Sequence, residues 1–273
     1  MSFNVSAHGP GGVQRSEERA TITEAVNVQE TGIPVTGGKK DRIWGVSATT
    51  GWESRHVHYG VDESGSSGAY VNEAGVQIGG FSVNVWNGFG LGNDLIEWDF
   101  TAAYNFEAGP IFLTPGYNLR YVPRHAKEEG EDEHSEEEHG EEHAEHAHNM
   151  YGNELFFAAG TTAIPYVTPS AVFIWDLNNL PGAFLEFRLD GDVPVYKEIV
   201  SLQPYALLGL NFGYNTTDAY GLNNLQFGLQ GTVAINKYVS AFAGINYSVA
   251  LEALDAIDQD NVVWVNVGLS FAY

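Results

Sequence analysis

A closed, antiparallel, all-β transmembrane barrel of about 12 strands is the fold class this sequence predicts, on three observations. Segments of roughly ten residues alternating apolar and polar side chains recur from Ile43 to the C-terminus. The connections between them alternate between tight and long. No run approaches the roughly 18 consecutive apolar residues that a membrane-crossing helix needs.

The alternation is plainest at the end of the chain. Val263, Val265, Val267, Leu269, Phe271 and Tyr273 hold every second position, separated by Trp264, Asn266, Gly268, Ser270 and Ala272. Successive side chains on a strand point to opposite faces. One face of this strand is therefore apolar throughout, and the other is small, polar or aromatic.

Composition agrees with strands. Among 273 residues, 32 are Gly, and Tyr and Phe far outnumber Met, a mixture that favours strands and tight turns. Cysteine is absent, which excludes disulfides and thiolate metal sites. A net charge of −23 argues against nucleic acid or anionic headgroups as partners of the exposed surface. The first residues, Met1 to Pro10, lack the basic start and apolar core of a signal peptide, so export would imply a mature form.

Taken in order, residues 1–42 are polar, without sustained period, and read as a flexible tail. The barrel is expected over 43–273, in segments at about 43–56, 69–78, 81–89, 95–106, 110–122, 154–162, 170–178, 183–190, 201–214, 224–235, 238–251 and 261–273. In the fourth, Ile96, Trp98, Phe100, Ala102, Tyr104 and Phe106 oppose Glu97, Asp99, Thr101, Ala103 and Asn105. In the eighth, Leu185, Phe187 and Leu189 oppose Glu186, Arg188 and Asp190. Pro115 and Pro204 weaken two of these segments, because each removes a ladder hydrogen bond.

The same alternation would suit a soluble barrel with its apolar face inward. Three features favour lipid outside and water inside. The polar face carries charge on many strands, which a packed core accepts only at a cost. The apolar face is rich in Trp, Tyr and Phe near strand ends, as interfacial girdles require. Turns such as Gly79-Gly80 and Asn236-Lys237 are tight, whereas 57–68, 123–153, 215–223 and 252–260 are longer. Short turns on one rim and long loops on the other are the outer-membrane arrangement. In lipid no strand edge stays unpaired, so the first and last strands must pair.

Several local patterns resemble the TorF-type porin family of bacterial outer-membrane proteins. They are Gly51-Trp-Glu-Ser-Arg-His-Val-His-Tyr-Gly60, Gly80-Phe-Ser-Val-Asn-Val-Trp86, Asn153-Glu-Leu155, Phe173-Ile-Trp-Asp176, Pro181-Gly-Ala-Phe-Leu-Glu186 and Tyr205 to Tyr214. The resemblance spans roughly 44–273 and implies an outer-membrane barrel with a pore role. It supplies no catalytic or ligand residues, and the acidic insertion after Val122 departs from it.

Two regions could carry chemistry. Residues 125–148 hold His125, His134, His139, His143, His146 and His148 among eleven carboxylates. Imidazole suits Zn, Cu or Ni, but the spacing fixes no ligand set. A solvated, self-repelling loop at 123–153 and a loosely held divalent cation both fit; no cofactor is required. The second region is the bore, where register places Glu53, Arg55, Glu73, Glu97, Asp99, Arg120, Glu154, Asp176, Glu186 and Arg188 inward, mostly toward the long-loop end. Acids there would attract cations, or the charges would pair off and fill a narrow barrel. Trp86, Phe112, Phe156, Phe184, Tyr205 and Trp264 also point inward by register, narrowing the bore.

Catalysis is not expected. Ser54, His56 and His58 lie near one strand end, but residues of one strand do not assemble a nucleophile, base and orienting group. The two histidines read as loop-edge surface residues. The expected role is passive diffusion of small hydrophilic solutes or ions, leaning toward cations. A surface metal-binding barrel and a closed structural barrel are the alternatives. Expected partners are outer-membrane lipid and lipopolysaccharide, the barrel assembly machinery through the C-terminal strand, and the solutes themselves.

Overall fold

The computed structural model describes residues 44–92, 96–123, 150–178, 182–197, 199–214 and 220–273. Twelve long antiparallel strands close into a barrel. They are β1 (Trp44–Glu53), β2 (Ala69–Ile78), β3 (Phe81–Gly90), β4 (Ile96–Tyr104), β5 (Ile111–Val122) and β6 (Met150–Thr161), followed by β7 (Val167–Asp176), β8 (Gly182–Gly191), β9 (Val200–Phe212), β10 (Tyr220–Ala234), β11 (Val239–Ala250) and β12 (Val262–Ala272). Each strand pairs with its sequence neighbours, and β1 pairs with β12 from Ser47 opposite Ala272 to Glu53 opposite Asn266. The closing ladder leaves no edge for lipid to desolvate.

The apolar face points outward. On β12, Val265 and Leu269 are 38% and 48% exposed, whereas Trp264 and Ser270 are 4% and 2% exposed. A large outward band of exposed Val, Leu, Ile and Phe runs round the barrel, a surface that only hydrocarbon accepts. Aromatic residues collect at both rims of this band. Trp44, Tyr273 and Tyr238 form a run at one rim, with ring centroids 5.4 Å and 5.5 Å apart. At the other rim Tyr70, Trp175 and Tyr220 are exposed. These are interfacial girdles. Charge on the outward band should therefore be costly: Val267→Arg is expected to destabilise the barrel by roughly 2–4 kcal/mol in lipid vesicles, read by denaturant unfolding. No measurable change would put this face against water.

Two strands begin four residues ahead of their sequence-derived starts. β6 begins at Met150 rather than 154, and β10 at Tyr220 rather than 224. Their first residues alternate poorly but lie opposite neighbours that already continue, Met150 facing Val122 and Tyr220 facing Phe212. Pairing sets these ends, not periodicity.

Pro115 and Pro204 both sit at interruptions of a ladder. Pro115 falls where β4 stops at Tyr104 and its continuation Phe106–Ala108 has yet to begin. Pro204 falls between the β8–β9 pairing, which ends at Tyr205, and the short stretch Val193–Tyr196, which pairs from Leu202. At each the missing N–H costs little.

Inward aromatics lie flat on the wall. Phe156 is directly opposite Gly116, Phe112 opposite Gly160, Tyr205 opposite Gly228 and Phe242 opposite Gly268. In each pair a Cβ on the glycine would fall within the ring. The ring thus covers the bare backbone of its neighbour instead of standing into the bore. Polar residues such as Thr114, Gln203, Gln230, Thr232, Ser240 and Ser270 occupy the inner face between them.

Candidate functional site

What enters the bore is the β1–β2 connection. The chain leaves β1 at Glu53 and makes a small ribbon, Val57–His58 paired with Val61–Asp62. Its two turn residues, Tyr59 and Gly60, have φ of +48° and +83°, the pattern of a tight two-residue hairpin turn. Ser64 Oγ accepts from the His56 amide at 2.6 Å, and the Glu63 amide donates to the His56 carbonyl at 2.8 Å. The loop therefore holds its own shape before it touches the wall.

The tip reaches strands on the far side of the barrel. The Tyr59 ring lies 4.6 Å from that of Phe184 on β8 and 5.1 Å from that of Tyr214. The Tyr59 carbonyl accepts from Asn223 Nδ2 on β10 at 2.7 Å. Gly60 packs so closely that a Cβ would lie 2.7 Å from Leu254 and 3.0 Å from Asn224, so both backbone conformation and space require glycine. Leu254 belongs to a one-turn helix, α1 (Glu252–Asp255), in the β11–β12 connection, whose Gln259 side chain accepts from the Asp62 amide at 3.2 Å. Val57 is buried with Val262 and Trp264 of β12. The hairpin is thus fastened round its perimeter and spans the long-loop mouth.

Charged groups meet at its near side. Arg120 of β5 places Nε 2.5 Å from Glu97 Oε1 and Nη2 2.9 Å from each oxygen of Glu63. His56 is 6% exposed, its ring stacked on Trp86 at 5.2 Å, with Nδ1 2.6 Å from Glu53 Oε1. Its Nε2 faces Glu63 and Glu97, each 3.9 Å away. Burial alone would lower the His56 pKa, but the hydrogen bond to Glu53 and the charges of Glu53, Glu97 and Glu63 outweigh it and raise it to about 9. Burial would raise the Glu63 pKa, yet Arg120, His58 and His56 hold it well below the usual carboxylate range.

The sequence-derived bore residues divide as follows. Glu53, Glu97, Glu154, Asp176 and Glu186 are buried on the inner face. Glu154 accepts from the Tyr214 hydroxyl and from Asn118 Nδ2 at 3.0 Å. Asp176 caps its own turn through the Asn178 amide at 3.0 Å. Asp99 lies opposite Arg120 in the β4–β5 ladder, and Glu73 is half-buried on β2. Arg188 pairs with Asp190 at 2.8 Å and covers the Tyr205 ring at 4.4 Å, nearer the short-turn rim. Arg55 is not on the wall; it belongs to the loop and pairs with Asp62 at 2.6 Å.

One expectation is overturned. His56 and His58 are not loop-edge surface residues, because the chain turns inward after Glu53 and takes both with it. No Ser–His pair forms there: Ser54 Oγ accepts from the Val265 amide at 3.0 Å, and His56 is engaged by carboxylates. His125, His134, His139, His143, His146 and His148, with the proposed tail at 1–42, lie outside the described residues. Glu63, Tyr59 and Tyr214 were missed by register reasoning, since none lies on a strand.

Two solved structures share the architecture. The KdgM porin superposes with a TM-score of 0.51 at 8% identity, over 83% of this chain and 99% of that one. The NanC porin in a rhombohedral crystal form gives 0.51 at 8%, over 83% and 98%. No family model and no curated protein matches the chain. The likeness is one of fold: the chain is a closed 12-stranded barrel of the outer-membrane, porin-like type.

Proposed function

We propose that the barrel is a non-enzymatic outer-membrane channel for small hydrophilic solutes and ions, leaning toward cations, and that the β1–β2 hairpin closes its outer mouth until it swings aside. The local motifs that resemble TorF-type porins support placing it among channel-forming relatives. The observation that carries the cation preference is the surplus of carboxylates where a solute would enter. Glu53, Glu63, Glu97, Asp99 and Glu154 outnumber the two cations among them, Arg120 and the protonated His56. Low-dielectric walls magnify such a surplus and draw cations to it.

Reversal potentials across a planar bilayer with a KCl gradient test this reading. Glu97→Gln with Asp99→Asn is expected to reduce the cation preference of the parent, moving the reversal potential toward zero. An unchanged potential would sever selectivity from this cluster. A parent protein that carries no current at any salt concentration or voltage would remove the channel reading altogether.

A further inference from the structure

We propose that His56, Glu63 and Glu97 form a binding site for one divalent transition-metal cation, Zn²⁺ in the first instance, and that the ion staples the inserted hairpin to the barrel wall. Two of the ligands belong to the hairpin and one to β4, so the site exists only when the hairpin is seated.

The geometry points to this through an imidazole whose Nε2 faces two carboxylates from beyond hydrogen-bonding distance. Glu53 holds Nδ1 at 2.6 Å, which fixes the ring and leaves Nε2 directed at the gap between Glu63 Oε2 and Glu97 Oε2. Both separations are 3.9 Å, and Nε2 makes no hydrogen bond among the described residues. That distance is too long for a hydrogen bond. It suits two ligands of one ion, since donors about 2.0–2.2 Å from zinc lie roughly 3.3 Å apart in tetrahedral geometry and somewhat further in open geometry. All three ligand atoms lie within 4.8 Å of one another, so closing on an ion in tetrahedral geometry needs a contraction of about 1.5 Å at most. A carboxylate on the far nitrogen is the usual partner of a metal-bound imidazole, orienting it and raising its basicity. Imidazole with two carboxylates favours Zn²⁺ over Ca²⁺ or Mg²⁺, which prefer all-oxygen shells.

Arg120 is the competitor. Its Nη2 lies 2.9 Å from Glu63 Oε2 and 3.0 Å from Glu97 Oε2. It also hydrogen-bonds the other oxygen of Glu63, with Nη2 2.9 Å from Oε1, and its Nε lies 2.5 Å from Glu97 Oε1 as an ion-pair contact. An ion can therefore take both Oε2 atoms while the guanidinium keeps both Oε1 atoms. Charge favours the exchange. Three carboxylates, those of Glu53, Glu63 and Glu97, face Arg120 and the protonated His56, so the ion must displace the Nε2 proton and adds one net positive charge; nearby Asp99 Oδ1 is buried with no hydrogen-bond partner among the described residues. Because the ion binds only the seated hairpin, it shifts the loop toward that position.

The test uses the full chain in detergent micelles with the six imidazoles of residues 125–148 replaced by Asn, so that this tract cannot mask the site. Titration with Zn²⁺ against a chromophoric chelator should give one saturable site. His56→Ala should abolish it. Glu53→Gln, which touches only the orienting carboxylate, should weaken it by roughly 10–100-fold. Circular dichroism confirms that each variant remains a barrel, and Glu53→Gln keeps the test informative should His56→Ala fail to fold. Hydrogen exchange of residues 54–68 should slow on adding Zn²⁺ to the parent. No zinc site in the loop-substituted chain, or one that survives both substitutions, would overturn the proposal, as would exchange in 54–68 indifferent to zinc. Only the effect of the ion on current rests on the channel reading; binding and exchange succeed or fail separately from it.

Discussion

Replacing residues 56–62 with a short Gly-Ser linker is expected to raise single-channel conductance by roughly tenfold or more, converting a closed or rarely open barrel into a persistently open one. On the short-turn side the wall carries hydroxyls, amides and rings laid flat over opposing glycines, and these arise from the strands themselves. On the long-loop side the hairpin touches β3, β5, β8, β10 and β12 and the α1 connection. Removing it takes away the obstruction without touching a barrel ladder. A milder form is Gly60→Val, which demands a disfavoured backbone conformation and places side-chain atoms against Leu254 and Asn224. That variant should flicker between levels, with a larger open fraction than the parent. If both proteins conduct as the parent does, the hairpin is not the closure.

The hairpin is also where sequence reading stops. Period-two alternation was enough to orient Val265 and Leu269 outward and Asn266 inward, because a one-residue slip would have put every apolar side chain in the bore. The inward placement of Glu97, Glu154 and Glu186 follows from the same rule. No such rule governs Ser54 to Gly68. Its residues read equally as a continuation of β1 or as a surface loop, since neither helix nor strand period runs through them. What folds them inward is tertiary: a far wall carrying Phe184 and Tyr214, a guanidinium at Arg120 and a cradle at Leu254. Tyr59-Gly60 was the single local hint, a turn-forming pair between His58 and Val61. The glycine–aromatic pairs were likewise hidden, because each becomes visible only once neighbouring strands are set in register, as with Gly116 and Phe156.

Arg120→Met should destabilise the barrel by about 3–5 kcal/mol, the cost of leaving a buried carboxylate without its cation. Glu97 is 2% exposed, and Arg120 is the guanidinium in contact with it. Glu63 depends on the same group, so the substitution also unseats the hairpin. Methionine keeps most of the volume, which separates the electrostatic loss from a packing defect. The companion experiment is the double variant Arg120→Met with Glu97→Gln. An amide in place of the stranded carboxylate should recover more than half of the loss, because a neutral amide is far cheaper to bury than an unpaired charge. Denaturant unfolding in lipid vesicles, followed by tryptophan fluorescence, reads both effects. Should the single variant lose less than about 1 kcal/mol, or the double variant fare no better than the single, the cluster would be wet and weakly coupled, and its ion pairs would not be what holds the hairpin in the mouth.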